Sequence, residues 1–250
     1  MLRAFWTKLF RWNGHFGFVL ILLFGIPRFI IVLHANQTGN YRYVSIIFLL
    51  MWIAPLLWLT KEGRRSIGMK RPTQYHWLFF SFLTGAAACS VMFGVAELCF
   101  GNTVNNWFVY ISKSYSAVDL IRNTTGGDKQ IYFLIYAIIG MTFSPIGEEL
   151  LYRGMIHGSF ATRLGEHQAS LVDSLAFSLT HLAHFGIVII SGVWSFLLLP
   201  GLLWVILMFG NSLLFFFCKE KTGSLLGAIL CHAGFNLAMT YFIFYHILAR

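Results

Sequence analysis

The chain has 250 residues, 58% of them hydrophobic and only 11% charged, with a formal net charge of +9, and its mean hydropathy is +0.71. A soluble domain carries about a quarter charged residues, so a soluble globular reading is excluded and the effective solvent is a bilayer. No large polar segment interrupts the chain, which points to one membrane domain without a soluble appendage.

In chain order, Met1–His15 is a basic, aromatic, amphipathic start. It lacks a small-residue cleavage site after the first apolar run, so no removable signal peptide is expected. Seven apolar segments then have the length of a membrane helix: 16–34, 43–60, 76–100, 130–152, 168–190, 195–217 and 223–247. The expected fold is an all-α polytopic membrane helix bundle of about seven transmembrane helices. Residues 1–129 supply the N-terminal helices and one long external loop, and 130–250 the later helices of the same domain. Arg28 interrupts the first span directly after Pro27. In the long connection 101–129, "NNWFVYISKSY" is expected to form an interfacial helix anchored by Trp107. Cys89, Cys99, Cys218 and Cys231 all lie in apolar stretches without CxxC spacing, as small buried residues would.

Orientation follows from Lys and Arg. With a cytoplasmic N-terminus, twelve of them fall on inside segments and five on outside segments. "KEGRRSIGMKRP" (61–72) then faces anionic head groups. The basic balance needs no nucleic acid, and membrane lipids are the expected partners. Asn36-Gln37-Thr38 and Asn123-Thr124-Thr125 match the glycosylation acceptor pattern on the outer side.

Ionisable groups inside the hydrocarbon are unfavourable by about 2.5–3.5 kcal/mol each on insertion scales, yet here they cluster. The fourth span ends in Glu148-Glu149-Leu-Leu-Tyr-Arg153, the fifth carries His181 and His184, and the seventh carries His232 and Asn236. Glu149 and Arg153 share a helix face at i, i+4, and so do His232 and Asn236. Depth counted along the helices brings the three sets together in the cytoplasmic half, with the glutamates deeper if the fourth helix continues towards Thr162. A lone Glu–Arg pair is ordinarily a structural clamp, a lone intramembrane His a packed residue, and a lone Asn helix–helix glue. Their conjunction favours function. Tyr152, Ser174, Thr180, Trp194 and Trp204 are read as packing or interface residues, and His157, His167 and His246 as surface or interfacial residues.

Two carboxylates, several imidazoles and an amide in a partly dry cavity suggest hydrolysis. A glutamate can take a proton from water, and His and Asn N–H groups can donate to a developing oxyanion. Equally, His181, His232 and a glutamate can bind Zn2+ and acidify its water. The residues allow both.

"EELLYR" (148–153), "FSLTH" (177–181) and "HAGFN" (232–236) resemble, in order and helix placement, the EExxxR, FxxxH and HxxxN motifs of the CPBP family. These are the CAAX-protease and bacteriocin-processing intramembrane proteases, also called Abi proteins. The resemblance covers residues 130–250. It implies a bundle with a conical catalytic cavity, open by the depth argument to the cytoplasmic side, and hydrolysis of a peptide bond in a peptide or protein substrate, lipidated or not. By motif position Glu148 would be the general base, Glu149 would position the water and its partner histidine, and Arg153 would hold the glutamates. His181 would bind or activate the water, and His232 and Asn236 would form the oxyanion site. If the enzyme is Zn2+-dependent, Glu148, His181 and His232 would be the ligands. The short chain points to a prokaryotic cell membrane. A catalytically silent scaffold or immunity protein that kept the motifs is one alternative. A proton-coupled transporter is another, disfavoured because all the polar residues fall in one half of the chain.

Overall fold

The structure is a computed structural model and describes residues 1–115 and 126–250. After a short helix α1 (Ala4–Thr7) come α2 (Gly14–Thr38), α3 (Val44–Trp58), α4 (Lys61–Ser66), α5 (His76–Phe100) and α6 (Trp107–Ser112). Then follow α7 (Asp128–Leu164), α8 (Glu166–Thr180), a hairpin of β1 (Ile187–Ile190) and β2 (Val193–Phe196), α9 (Leu198–Thr222) and α10 (Leu225–Ile247). Among the described residues, α2, α5, α7, α9 and α10 are long and apolar enough to cross a membrane, and α3 is a shorter apolar helix. The all-α membrane bundle holds. The count of seven spans does not, because the fifth segment breaks and the second, 43–60, forms only the shorter helix α3.

That break has a local cause. After α8 ends at Thr180, His181–Ala183 tightens into a 3-10 turn. Ser191 and Gly192 both take positive φ (51° and 79°) and join Ile190 to its partner Val193. This is the two-residue loop that suits the twist of paired strands. Non-helical backbone at membrane depth needs its polar groups satisfied within the protein. Trp204 Nε1 donates to the His181 carbonyl (2.9 Å) and Asn36 Nδ2 to that of Ala183 (2.8 Å). The Gly186 carbonyl accepts from Leu197 N (2.9 Å), and Tyr110 Oη from Ile189 N (3.0 Å).

α7 is the longest element, 37 residues, or about 55 Å at 1.5 Å per residue. It runs on past Arg153 through a π-helical stretch, Leu150–Ile156, to Leu164. The glutamates therefore sit deep within a continuous helix rather than near its end. α10 is held against α5 by close backbone approach. A Cβ on Gly85 would overlap the Cys231 carbonyl, and one on Gly234 would overlap that of Phe82. Small residues at such crossings let membrane helices pack tightly, and this crossing sets the depth of His232 and Asn236. At the other end the N-terminus folds onto α3: Arg3 N donates to Trp58 O (2.9 Å) and Thr60 N to Met1 O (2.9 Å).

Three further expectations change. Trp107 is fully buried against Phe100, Phe185 and Trp204 and is a core residue, not an interfacial anchor. Asn36 is engaged through both ends of its amide, since its Oδ1 accepts from Tyr41 Oη (2.6 Å), so it does not present a free acceptor for glycosylation. Asn123-Thr124-Thr125 lies outside the described residues. The cysteines are free, with Cys89, Cys218 and Cys231 buried as expected and Cys99 exposed.

Candidate active site

Glu148 from α7, His181 from the end of α8, and His232 and Asn236 from α10 line one cavity of about 250 Å³. α8 is only 15 residues long, so its C-terminal end delivers His181 to the interior instead of carrying it across. His181 Nδ1 donates to the Phe177 carbonyl (2.7 Å), the residue four before it. In the neutral ring this leaves the lone pair on Nε2, on the cavity side.

The residue facing that lone pair was not singled out in the sequence as functional. Arg28 of α2 is 1% exposed. Its Nη2 lies 2.5 Å from Glu148 Oε1, 3.4 Å from His181 Nε2 and 3.3 Å from His184 Nε2. Its Nη1 donates to Thr180 Oγ1 (2.8 Å). The available signal was a charged residue inside an apolar span. Thr180 and Trp204, read as packing, respectively bind Arg28 and the His181 carbonyl.

Behind the cavity a second chain of polar contacts fixes His232. Its Nδ1 donates to Glu149 Oε1 (2.8 Å), and Glu149 Oε2 meets Arg153 Nε (3.2 Å), the expected i, i+4 pair with both side chains fully buried. Arg153 Nη2 donates to Ser212 Oγ (2.7 Å), which donates to Ser174 Oγ (2.7 Å). The guanidinium also lies over the rings of Phe177 (4.2 Å) and Phe215 (5.2 Å). Phe215 in turn stacks on the His232 ring at 4.7 Å. This leaves His232 Nε2 facing Glu148 Oε2 at 3.8 Å. One water between them can reach both at ordinary hydrogen-bond distance.

Asn236 Nδ2 donates to the Gly140 carbonyl (2.8 Å) and to Ser144 Oγ (3.2 Å). The carbonyl partner fixes which amide atom is nitrogen. Ser144 also lines the cavity, so its hydroxyl stands between the Asn236 amide and the cavity's polar floor. His157 is a correction. It is buried, not on the surface, with Nδ1 2.7 Å from Asp173 Oδ2 and Nε2 2.7 Å from Glu166 Oε2. His167 and His246 are exposed as expected.

The cavity lies on the side of the molecule opposite the N-terminus. Its walls beyond Glu148 and His232 are Val44 at the start of α3, Ile111 and Tyr115, and the early turns of α7 at Tyr136 and Ile139. A cytoplasmic N-terminus and a cavity open to the cytoplasm were expected together, and the fold allows only one of them. The depth count left open a fourth helix continuing towards Thr162, and the helix does continue, to Leu164.

The donor set does not fit a resident Zn2+. Glu148, His181 and His232 share the cavity, but the Arg28 guanidinium stands between Glu148 Oε1 and His181 Nε2. A fixed positive charge there repels a divalent cation and occupies two of the three donors. Among the described residues no group of three His, Cys, Asp or Glu is arranged to hold a metal.

Residues 130–238 match the family model described as Type II CAAX prenyl endopeptidase Rce1-like. No curated protein and no solved structure matches the chain.

Proposed function

We propose, from the Rce1-like CAAX endopeptidase domain at residues 130–238, that the chain is an intramembrane endopeptidase in which Glu148 activates water without a metal. The observation that carries this reading is the meeting of Glu148, His181, His232 and Asn236 from three helices on one cavity. Arg28 holds Glu148 Oε1, leaving Oε2 for the water shared with His232 Nε2. Glu148 takes a proton as the water oxygen adds to the scissile carbonyl carbon. The Ser144 hydroxyl, held by a hydrogen bond from Asn236 Nδ2, donates to the resulting oxyanion. The proton then passes to the leaving nitrogen as the C–N bond breaks. Glu149 and Arg153 keep His232 in the tautomer that presents Nε2. His181, with its Nε2 on Arg28, positions the guanidinium.

The substrate class is an extended segment of a membrane-associated peptide or protein. A cavity of about 250 Å³, walled by Phe48, Ile139, Met208 and Phe235 beside its polar floor, suits a few apolar side chains flanking the scissile bond and not a folded domain. The test is reconstitution of the purified protein in nanodiscs with bilayer-anchored peptides of varied C-terminal sequence, lipidated and not, with products read by mass spectrometry. Cleavage by the native chain and none by Glu148→Gln supports the reading. No cleavage of any peptide class by a folded native chain overturns it.

A further inference from the structure

The segment between α3 and α5 takes no part in the chemistry above and has a construction of its own. Lys61, Arg64, Arg65, Lys70 and Arg71 stand there with one acid, Glu62. Among the described residues none of the five cations forms an ion pair. Their side chains rim a depression of about 510 Å³. The loop that carries Lys70 and Arg71 is pinned to the turn between α9 and α10. Leu225 N donates to Gly68 O (2.9 Å), Ser224 Oγ to Lys70 O (2.6 Å) and Thr73 N to Thr222 O (2.9 Å). Gly68 takes φ +102°, and a Cβ there would crowd the Leu225 backbone nitrogen, so a glycine is required for the pinning. The cations are thus held on a fixed frame.

Across Met69, Lys70 and Arg71 the depression continues into an apolar groove of about 640 Å³. Its walls include Pro72, Tyr75, Ile146, Leu150, Leu226 and Ile229. The groove descends from the level of the basic loop along α7 and α10. Gly154 packs against Leu225 at the loop level, and Ile146 lies eight residues, about 12 Å, further along the helix. A cationic mouth at the interface above an apolar groove in the hydrocarbon is complementary to one chemistry, an acidic head group on an acyl chain. A zwitterionic lipid brings no net charge to five unpaired cations.

We propose that this cleft binds one anionic phospholipid of the surrounding bilayer, its phosphate among Arg65, Lys70 and Arg71 and an acyl chain beside Ile146 and Leu150. Ile146 and Leu150 share a face of α7, and Glu148, two residues on, points about 200° away from Ile146 into the catalytic cavity. The lipid would back the glutamate helix from the face that the substrate never reaches.

The experiment is native mass spectrometry of the full chain released from micelles containing phosphatidylglycerol or phosphatidylcholine, with thermal unfolding in the same lipids. The native chain is expected to retain one phosphatidylglycerol where phosphatidylcholine is lost, and to gain thermal stability from it. Arg65→Gln/Lys70→Gln/Arg71→Gln is expected to weaken retention at least tenfold and lose the lipid-dependent gain, with unchanged unfolding in lipid-free detergent. Equal retention of both lipids, or of phosphatidylglycerol by the triple variant, overturns the proposal. Displacement by millimolar inorganic phosphate or by a soluble acidic peptide also overturns it, since the site would then read charge without a chain. Retention is measured without turnover, so the result stands apart from the protease reading.

Discussion

Arg28 of α2 and Glu148 of α7 form a buried ion pair at 2.5 Å, with both side chains at most 2% exposed. It ties the N-terminal helices to the catalytic half of the chain and orients the candidate base. Removing one partner of such a pair leaves an uncompensated buried charge, typically at about 3–5 kcal/mol. Arg28→Ala is therefore expected to lower folded yield and thermal stability in detergent, and to abolish cleavage. Arg28→Met/Glu148→Gln, which removes both charges, is expected to recover much of the stability and none of the activity. An Arg28→Ala variant with native unfolding temperature and turnover would refute the role given to the pair.

Glu148→Gln keeps the shape of the base and removes its proton affinity, so cleavage is expected to disappear while the variant folds. Asn236→Ala, which releases the Ser144 hydroxyl from its place at the oxyanion, is expected to leave KM nearly unchanged and to slow kcat by about 100- to 1,000-fold, the usual effect of losing an oxyanion donor. Steady-state kinetics on one cleaved peptide decides it, and full turnover in either variant contradicts the mechanism.

The Arg153 guanidinium is fully buried between Glu149, Ser212 and two phenylalanine rings. Arg153→Ala leaves Glu149 without its cation, and the expected result is a fall in folded yield as well as activity. Arg153→Lys retains the charge but loses the planar fork, so yield is expected to recover more than turnover. Size-exclusion profiles and specific activity of the two variants separate these effects.

With a guanidinium between Glu148 and His181, protein purified through exhaustive chelation is expected to cleave at its original rate and to hold far less than one zinc per chain. Abolition by chelation with restoration by Zn2+ would show that Arg28 moves aside for a metal and would end the metal-free proposal.

Among the described residues, with the buried Arg28 and Arg153 set aside, eleven of fifteen Lys and Arg residues lie on the N-terminal side of the bundle, so that side is expected to be cytoplasmic. Single cysteines at Arg65 and Lys113, in a chain with Cys99 replaced, should then label from the inside and the outside respectively. The reverse pattern would turn the cavity that holds Glu148 to the cytoplasm.

The class of the protein and most of its reactive groups were legible in the sequence. Hydropathy alone identifies a membrane bundle, and i, i+4 spacing alone pairs Glu149 with Arg153, because both depend on contacts within one helix. Motif resemblance selected Glu148, His181, His232 and Asn236, and the fold brings them to one cavity. What sequence spacing could not reach were contacts between distant segments. Arg28 reads as a flaw in an apolar span until α2 packs beside α7. His157 reads as a surface residue until Asp173 of α8 closes over it. Segment 168–190 is apolar enough to cross, and hydropathy cannot register a hairpin whose carbonyls and amides are satisfied by Trp204, Asn36 and Tyr110 from other elements. Composition and periodicity specify which solvent each helix meets, whereas the counter-ion of the base and the face on which the cavity lies depend on where the other helices stop.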